Sequence, residues 1–482
     1  VNFRPALRFL GRLILLLAGT ELAPAVCAAL YRDWSDVTAF IGCAALTGIC
    51  GFGLLLLGRS TGQVYRREGI LIVVGGWVLA SVFGAIPYLV TGTFLNPMDA
   101  LFESASGFTT TGASVMTDIE SSSRAILFWR SMTQWLGGMG IIVLFVALLP
   151  ELGPGARFLY KLEVPGPTAE ALQPRIRDTA AILWKIYLML TVAETVLLML
   201  AGLDLYDAIT HTFSTLSTGG FSPRNTSVAA FPSPWVHLIV ILFMILAGAN
   251  FSLFFGLRLR RNWNLFRDTE FRLYVQILGA ATLVMAADLL WHETYENPFR
   301  ALLDSGFQVV SMMTTTGFAT ADFDRWPILS CLILVVVMFV GGCAGSTAGG
   351  LKVMRMVIGV RYALREVRLI FSPNTVLKIF IGGTVVPELV VASVAGFFIL
   401  YLTTWGLGSM ILALGSPDLV TAATAAAATL GNIGPGLRAV GPTANYEFFS
   451  SFHKGVMVLL MWLGRLEIYS IAALFTRAFW RT

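Results

Sequence analysis

Phe108-Thr109-Thr110-Thr111-Gly112, Leu216-Ser217-Thr218-Gly219-Gly220 and Met313-Thr314-Thr315-Thr316-Gly317 are one phrase written three times along the chain. The match extends backwards without gaps. An aspartate stands thirteen residues before each closing glycine (Asp99, Asp207, Asp304), and a serine stands six before it (Ser106, Ser214, Ser311). A worn fourth copy reads Thr429-Leu430-Gly431-Asn432-Ile433-Gly434-Pro435-Gly436. Its Asn432-Ile433-Gly434 falls on Thr110-Thr111-Gly112, and the aspartate and serine positions hold Thr421 and Ala428. A period of roughly 100 residues marks a chain built from repeats, and four hydroxyl-and-glycine turns imply four-fold pseudo-symmetry about an axis.

Composition says where that axis runs. With 56% apolar residues, 13% charged residues and a mean hydropathy of +0.76, the 482 residues exceed the hydrophobicity of a soluble domain and contain many runs long enough to cross a bilayer as helices. The net charge of +5 comes mostly from arginines clustered in a few loops, so it bears on orientation in the lipid bilayer and gives no indication of nucleic acid. The five cysteines (Cys27, Cys43, Cys50, Cys331, Cys343) lie in or beside apolar runs with no CxxC and no histidine partner, as packing residues do.

Taken in order, Arg4, Arg8 and Arg12 precede an apolar run from Leu13 to Leu30, and a second run from Val37 to Leu57 follows after a short polar turn. A signal peptide is the alternative for the first run; a retained hairpin over 1–68 is the simpler reading. The repeats then occupy 69–178 (with a cytoplasmic linker), 179–269, 270–374 and 375–482. Each opens with a spanning segment: Ile70 to Val90, Ala180 to Gly202, Leu273 to Trp291 and Val376 to Thr404. Next comes a run too short to cross, such as Met98 to Gly107 or Pro298 to Met313, which must enter and turn back. Its Thr/Gly turn must be enclosed by protein or line a water-filled cavity, because unpaired backbone cannot face lipid. A second spanning segment closes each unit: Ile126 to Leu149, Trp235 to Leu257, Ile328 to Val360 and Phe448 to Phe475. The predicted fold class is an all-α polytopic membrane protein with four helix, pore-helix, helix repeats around a central pore, plus the N-terminal helix pair.

The linkers between repeats hold Arg157, Lys161, Arg175, Arg177, Arg258, Arg260, Arg261, Arg267, Arg272, Lys352, Arg355, Arg361, Arg365, Arg368 and Lys378, whereas the loops after the turns hold isolated arginines (Arg124, Arg224, Arg325, Arg438). The positive-inside rule therefore puts the linkers and both termini in the cytoplasm and the turn mouths outside.

Such turns suit a dehydrated alkali cation, because a ring of backbone carbonyls replaces its water without a net charge that would hold it too tightly. Aiming successive carbonyls at one axis needs positive φ, which glycine adopts cheaply. The candidate ion-binding residues are Thr110, Thr111 and Gly112; Thr218, Gly219 and Gly220; Thr315, Thr316 and Gly317; and Asn432, Ile433 and Gly434. The aspartate at each pore-helix start is expected as an N-cap, with the helix C-terminus facing the cation. The alternative is that the turns merely break helices in a transporter bundle. Inside the third repeat, Gly341-Gly342-Cys343-Ala344-Gly345-Ser346-Thr347-Ala348-Gly349-Gly350 should break its helix, since each glycine costs up to about 1 kcal/mol there; close helix packing is the competing explanation. Arg465, in the apolar run from Val456 to Phe475, is costly at mid-membrane and faces a cavity or pairs with a carboxylate such as Glu467. The polar residues Glu103, His211, Gln308, Gln134 and Glu388 are expected to be satisfied within pore-helix packing.

TTTGA, STGGF, TTTGF and LGNIGPG in that order, with GGCAGSTAGG in the third repeat and LGRLE in the fourth, resemble the TrkH/TrkG branch of the potassium-transporter superfamily that also includes KtrB and HKT. The extra N-terminal helix pair favours that branch over KtrB. The resemblance implies potassium uptake across the bacterial cytoplasmic membrane, with K+ as the transported ion at the filter residues and no organic cofactor. It implies a homodimer with one pore per protomer and a cytosolic NAD/ATP-binding regulatory subunit of the TrkA type. It also implies a gate formed by Gly341, Gly342, Gly345, Ser346, Thr347, Gly349 and Gly350 and anchored by Lys352, and a pore charge at Arg465. Glycine at position 112 fits potassium, where sodium-selective HKT relatives have serine. The alternatives are a sodium/potassium transporter of the HKT or KtrB type, or an alternating-access transporter, which would call for inverted repeats. A membrane enzyme finds no support in HExxH, GxSxG or phosphate-loop motifs.

Overall fold

The computed structural model describes residues 3–58, 65–140, 176–254 and 267–480. Linker residues Arg157, Lys161, Arg175, Arg258, Arg260 and Arg261, and the end of the expected span from Ile126 to Leu149, lie outside the described residues.

The N-terminal pair comprises α1 (Phe3–Thr20) and α2 (Leu22–Leu30), together one apolar span, followed by α3 (Trp34–Leu57), which Asp33 caps by accepting from the Asp36 amide. Helices α1 and α3 approach backbone to backbone: a Cβ on Gly11 would lie 2.7 Å from the Gly51 oxygen. Small residues allow that contact in lipid, where apolar surface alone gives helices no reason to associate. Buried Glu21, at the junction of α1 and α2, accepts from the Thr47 hydroxyl at 3.2 Å.

The first spans of the repeats are α4 (Arg66–Val90), α7 (Ile176–Leu200), α10 (Thr269–Trp291) and α14 (Glu388–Ala413); the pore helices are α5 (Pro97–Phe108), α8 (Leu205–Leu216), α11 (Pro298–Met313) and α15 (Leu419–Gly431). The second helices are α6 (Arg124–Gly138), α9 (Pro234–Ala247), α12 (Ile328–Val340) with its continuation α13 (Val353–Phe371), and α16 (Ser451–Arg465) with α17 (Glu467–Leu474); α18 (Arg477–Trp480) follows. Among the described residues six helices are long and apolar enough to cross a membrane, or seven if the bent pair α16 and α17 is one span.

Three expectations need correction. The first span of repeat four begins at Glu388, not Val376. The intervening Phe380–Ile381 and Thr384–Val385 pair as an antiparallel hairpin, with Gly382 and Gly383 both at positive φ as a tight two-residue turn requires. The break expected only in repeat three occurs in every repeat: α6 ends at Gly138-Met139-Gly140, α9 at Gly248, α12 at Gly341, and α16 turns by 116° into α17. A glycine stands at or beside each break, but the flanking runs are apolar enough to read as continuous helix. Finally, Asp99, Asp207 and Asp304 are not the pore-helix caps. Asn96, Asp204, Asn297 and Asp418 are, each accepting an amide hydrogen bond of the first turn. Asn96, Asp204 and Asp418 stand sixteen residues before their glycines, so the cap is kept where the serine and aspartate of repeat four are lost. The Thr421 hydroxyl and amide hold the Asp418 carboxyl below its usual range.

The aspartates form ion pairs instead: Asp99 with Lys454 (2.6 Å), Asp207 with Arg224 (2.5 Å) and Asp304 with Arg300 (2.7 Å). Deeper, Arg130 of α6 pairs with Glu103 of α5 at 2.6 Å, with side chains 3% and 0% exposed. Glu103 also accepts from the Ser114 hydroxyl and the Val115 amide, while Arg130 donates to the Ser222 carbonyl and lies 3.6 Å from the Phe221 ring centroid. The pair thus joins the segments that leave turns one and two.

Removing one partner leaves the other charge buried, so Arg130→Met should lower stability by about 3–5 kcal/mol. Thermal unfolding of the detergent-solubilised protein tests this; a melting temperature equal to that of the parent would contradict it.

Candidate functional site

Each turn is made the same way. The pore helix ends, and the amide of the residue before the ring glycine reaches back five residues: Thr111 to the Ser106 carbonyl, Gly219 to Ser214, Thr316 to Ser311, and Ile433 to Ala428, at 2.8–2.9 Å. That closure needs a left-handed residue, and Thr110, Thr218, Thr315 and Asn432 take it at φ 54° to 58°. Asparagine is at ease there, but threonine is β-branched and strained. Each turn therefore has two positive-φ residues, the second being the glycine: Gly112 at 79°, Gly220 at 75°, Gly317 at 80° and Gly434 at 98°. The sequence signals only the second.

The four turns close on one another. A Cβ on Gly112 would lie 2.1 Å from the Gly219 oxygen, one on Gly220 1.9 Å from the Thr316 oxygen, one on Gly317 2.0 Å from the Ile433 oxygen, and one on Gly434 2.8 Å from the Thr111 oxygen. The oxygens of Thr111, Gly219, Thr316 and Ile433 each belong to the residue before a ring glycine, and each abuts the glycine of the neighbouring turn. All twelve residues singled out in the sequence thus come together, Gly434 of the worn fourth copy included. A cavity on one face of the ring is lined by all four glycines.

Behind the turns the symmetry fades. Nine residues before the glycine, Glu103, His211 and Gln308 bond the hydroxyls of Ser114, Ser222 and Thr320. In the fourth repeat that position is Ala425, and the Tyr446 hydroxyl instead donates to the Gly434 carbonyl at 2.7 Å. Sequence reading placed Gln134 in general packing, yet its amide donates to the Gly219 carbonyl at 2.6 Å and accepts from the Phe221 amide at 3.0 Å. No motif announces it; only its position one turn beyond Arg130 on α6 hinted at a shared face. Glu388, expected in the same packing, pairs on the surface with Arg365 at 2.6 Å.

The 341–350 segment interrupts the helix as expected and runs directly against the other face of the ring. The Gly349 amide donates to the Thr315 hydroxyl (2.7 Å) and the Gly350 amide to the Gly431 carbonyl (3.1 Å). The Thr347 hydroxyl donates to the carbonyls of Leu216 and Ala247 (both 3.1 Å). The segment therefore touches turns two, three and four. Gly341, Gly345 and Gly350 have positive φ, and so does Lys352, whose buried ammonium donates to the Ala348 carbonyl. Buried Glu270 accepts from the amides of Ala344 and Met354, holding both ends of the segment with one carboxylate oxygen. Ser346 and Gly342 complete the loop, the Ser346 hydroxyl donating to Cys343.

Arg465 fills the remaining quadrant. Its guanidinium donates to the Thr347 carbonyl (2.9 Å), the Thr110 hydroxyl (3.2 Å) and the carbonyls of Gly137 (2.5 Å) and Gly138 (2.9 Å). Glu467 bridges instead to Arg355 at 2.5 Å, with one residue at the break after Arg465 and the other at the start of α13. A second cavity is bounded by Gly345–Gly350, Lys352, Arg465 and Glu467. The arrangement is thus cavity, carbonyl ring, polar loop with a guanidinium, cavity, in that order. No group of three or more metal-ligating His, Cys, Asp or Glu side chains exists among the described residues; the turns themselves present backbone carbonyls, threonine hydroxyls and the buried Asn432 carboxamide oxygen.

The family model TrkH, described as a cation transport protein, matches residues 39–481. The "Trk system potassium uptake protein TrkH" of Salmonella typhimurium is 39% identical over the whole of both chains, and TrkG of Escherichia coli is 36% identical over 98% of this chain and 97% of its own. The crystal structure of the potassium transporter TrkH from Vibrio parahaemolyticus superposes over all of both chains with a TM-score of 0.90 at 38% identity. Repeated turns, a membrane-embedded multi-pass helical fold and full-length likeness agree: the chain belongs to the TrkH family of cation transport proteins.

Proposed function

We propose that this protein carries potassium into the cell across the bacterial cytoplasmic membrane, through a filter made by the carbonyls of Thr111, Gly219, Thr316, Ile433 and the glycines that follow them. The observation that carries the reading is the closed cycle of contacts in which each turn's carbonyl oxygen meets the next turn's glycine. Neutral carbonyls replace water around a weakly hydrated monovalent ion without trapping it. The potassium named in the relatives supports the choice of ion. The glycine-lined cavity is the extracellular mouth in this reading, with both termini cytoplasmic, as the arginine distribution favours.

The 341–350 loop is the gate, and Arg465 is its latch. The guanidinium ties the loop's Thr347 carbonyl to turn one and to the end of α6, and the same charge opposes a cation approaching from the second cavity. At about 6 Å and an effective dielectric of about 20 that repulsion is roughly 3 kcal/mol. The Arg355–Glu467 bridge and Glu270 connect the loop to helices that reach its cytoplasmic end. Family membership is what favours a homodimer controlled by a cytosolic NAD/ATP-binding subunit of the TrkA type. A passive channel and uptake coupled to protons or sodium are separated by flux in liposomes under imposed potassium, sodium and proton gradients.

Three variants test the filter and the latch in that assay. Gly112→Ser pushes a side chain against the Gly219 carbonyl, and its discrimination of potassium over sodium should fall while the protein stays folded; an unchanged ion preference contradicts the ring. Arg465→Gln, which loses both charge and fork, should raise potassium flux. Arg465→Lys keeps the charge but cannot span the loop, Thr110 and the α6 carbonyls at once, so its flux should lie between parent and Gln. Flux in Arg465→Gln at or below the parent's, at unchanged melting temperature, contradicts the latch.

A further inference from the structure

We infer that Gln134 is a specificity-determining positioning residue, which holds one carbonyl of the ring in place from outside its own repeat. The inference rests on the filter reading above. Its basis is that Gln134, fully buried on α6 of repeat one, reaches into turn two and bonds both sides of the ring glycine there. Its carboxamide orientation is fixed chemically, because the Phe221 amide can only donate and so must face the carboxamide oxygen, which leaves the NH2 for the Gly219 carbonyl. The Gly219 oxygen is the one that abuts Gly112. A carbonyl in a turn with two positive-φ residues can rotate out of line by a concerted change of the flanking dihedrals. A donor on its second lone pair, with the next amide but one clamped by the same side chain, removes that freedom.

Three further contacts make this a built brace. Arg130, one helical turn before Gln134, donates to the Ser222 carbonyl, so two side chains of one helix face hold the Gly219–Ser222 backbone. A Cβ on Gly219 would lie 2.4 Å from the Gln134 carboxamide carbon, so only glycine leaves room for it. And Glu103, by holding Arg130 together with Ser114 and Val115, refers turn two to the segment leaving turn one. Turns one and two are thereby set at a fixed separation, where the ring radius decides which cation it fits. Among the described residues Gln134 is the side chain that donates to one of the four oxygens abutting a neighbouring glycine, and the Tyr446 hydroxyl holds the carbonyl of the ring glycine Gly434 in turn four.

The test is flux in liposomes of the full chain, with Gln134→Glu and Gln134→Met beside Gly112→Ser as control. Gln134→Glu keeps an acceptor for the Phe221 amide and loses the donor to Gly219; Gln134→Met keeps the volume and loses both bonds. Each should reduce the ratio of potassium to sodium flux by about tenfold, what a hydrogen bond of somewhat more than 1 kcal/mol confers, with melting temperatures close to the parent's. If Gly112→Ser shifts the ratio and the Gln134 variants do not, the brace is overturned and the filter reading stands. If none of the three shifts it, both fall. Failure of both Gln134 variants to fold would make the residue structural and overturn its role in specificity.

Discussion

A carbonyl oxygen can serve a cation only where no side chain stands between it and the ion, and this structure meets that condition by packing backbone directly against backbone. Gaps too small for a Cβ separate each turn from its neighbour around the whole cycle. Everything else follows from holding four stretches of irregular backbone that close in a lipid environment, where any unpaired amide is expensive. The pore helices supply one anchor each through the five-residue return bond, and their polar caps keep the outer ends in place. The C-terminal ends of four helices converge beneath the ring, so their dipoles favour a positive occupant there.

The arrangement stores strain and then uses it. A left-handed threonine costs on the order of 1–2 kcal/mol, and three of the four turns carry one. Each threonine hydroxyl bonds the layer below the ring: Thr110 meets Arg465, Thr218 meets Thr347, and Thr315 meets the Gly349 amide. Asparagine at 432 avoids the strain and bonds sideways, to the Thr111 hydroxyl and the Met461 carbonyl. The ring and the 341–350 loop thus share one layer of hydrogen bonds.

The repeat phrase, read with its register, led directly to the four-fold architecture, the pore helices and the meeting of the four turns, and the glycine run at 341–350 led to the interrupted third helix. It could do so because those features need residues of unusual type at fixed spacing. What stayed hidden was set by tertiary contacts. The breaks after α6, α9 and α16 lie in apolar runs whose single glycines look tolerable in a helix, and the cap positions are asparagine or aspartate three or more residues outside the obvious aspartates. Arg465 stands out by its depth in an apolar run, which leaves a pore-facing charge or an ion pair with Glu467 as the readings; its partners are carbonyls and a hydroxyl from three other segments, which no local pattern signals. Gln134 carried no signal beyond polarity in an apolar helix.

If the ring is a filter, a dehydrated monovalent cation sits among the carbonyls of Thr111, Gly219, Thr316 and Ile433. Anomalous diffraction from crystals grown in thallium or rubidium in place of potassium tests this most directly. A filter should give an anomalous peak on the ring axis within coordinating distance of those four oxygens, lost when sodium replaces the heavy ion. A ring without a peak, with the ion bound instead at side-chain carboxylates elsewhere, would contradict it.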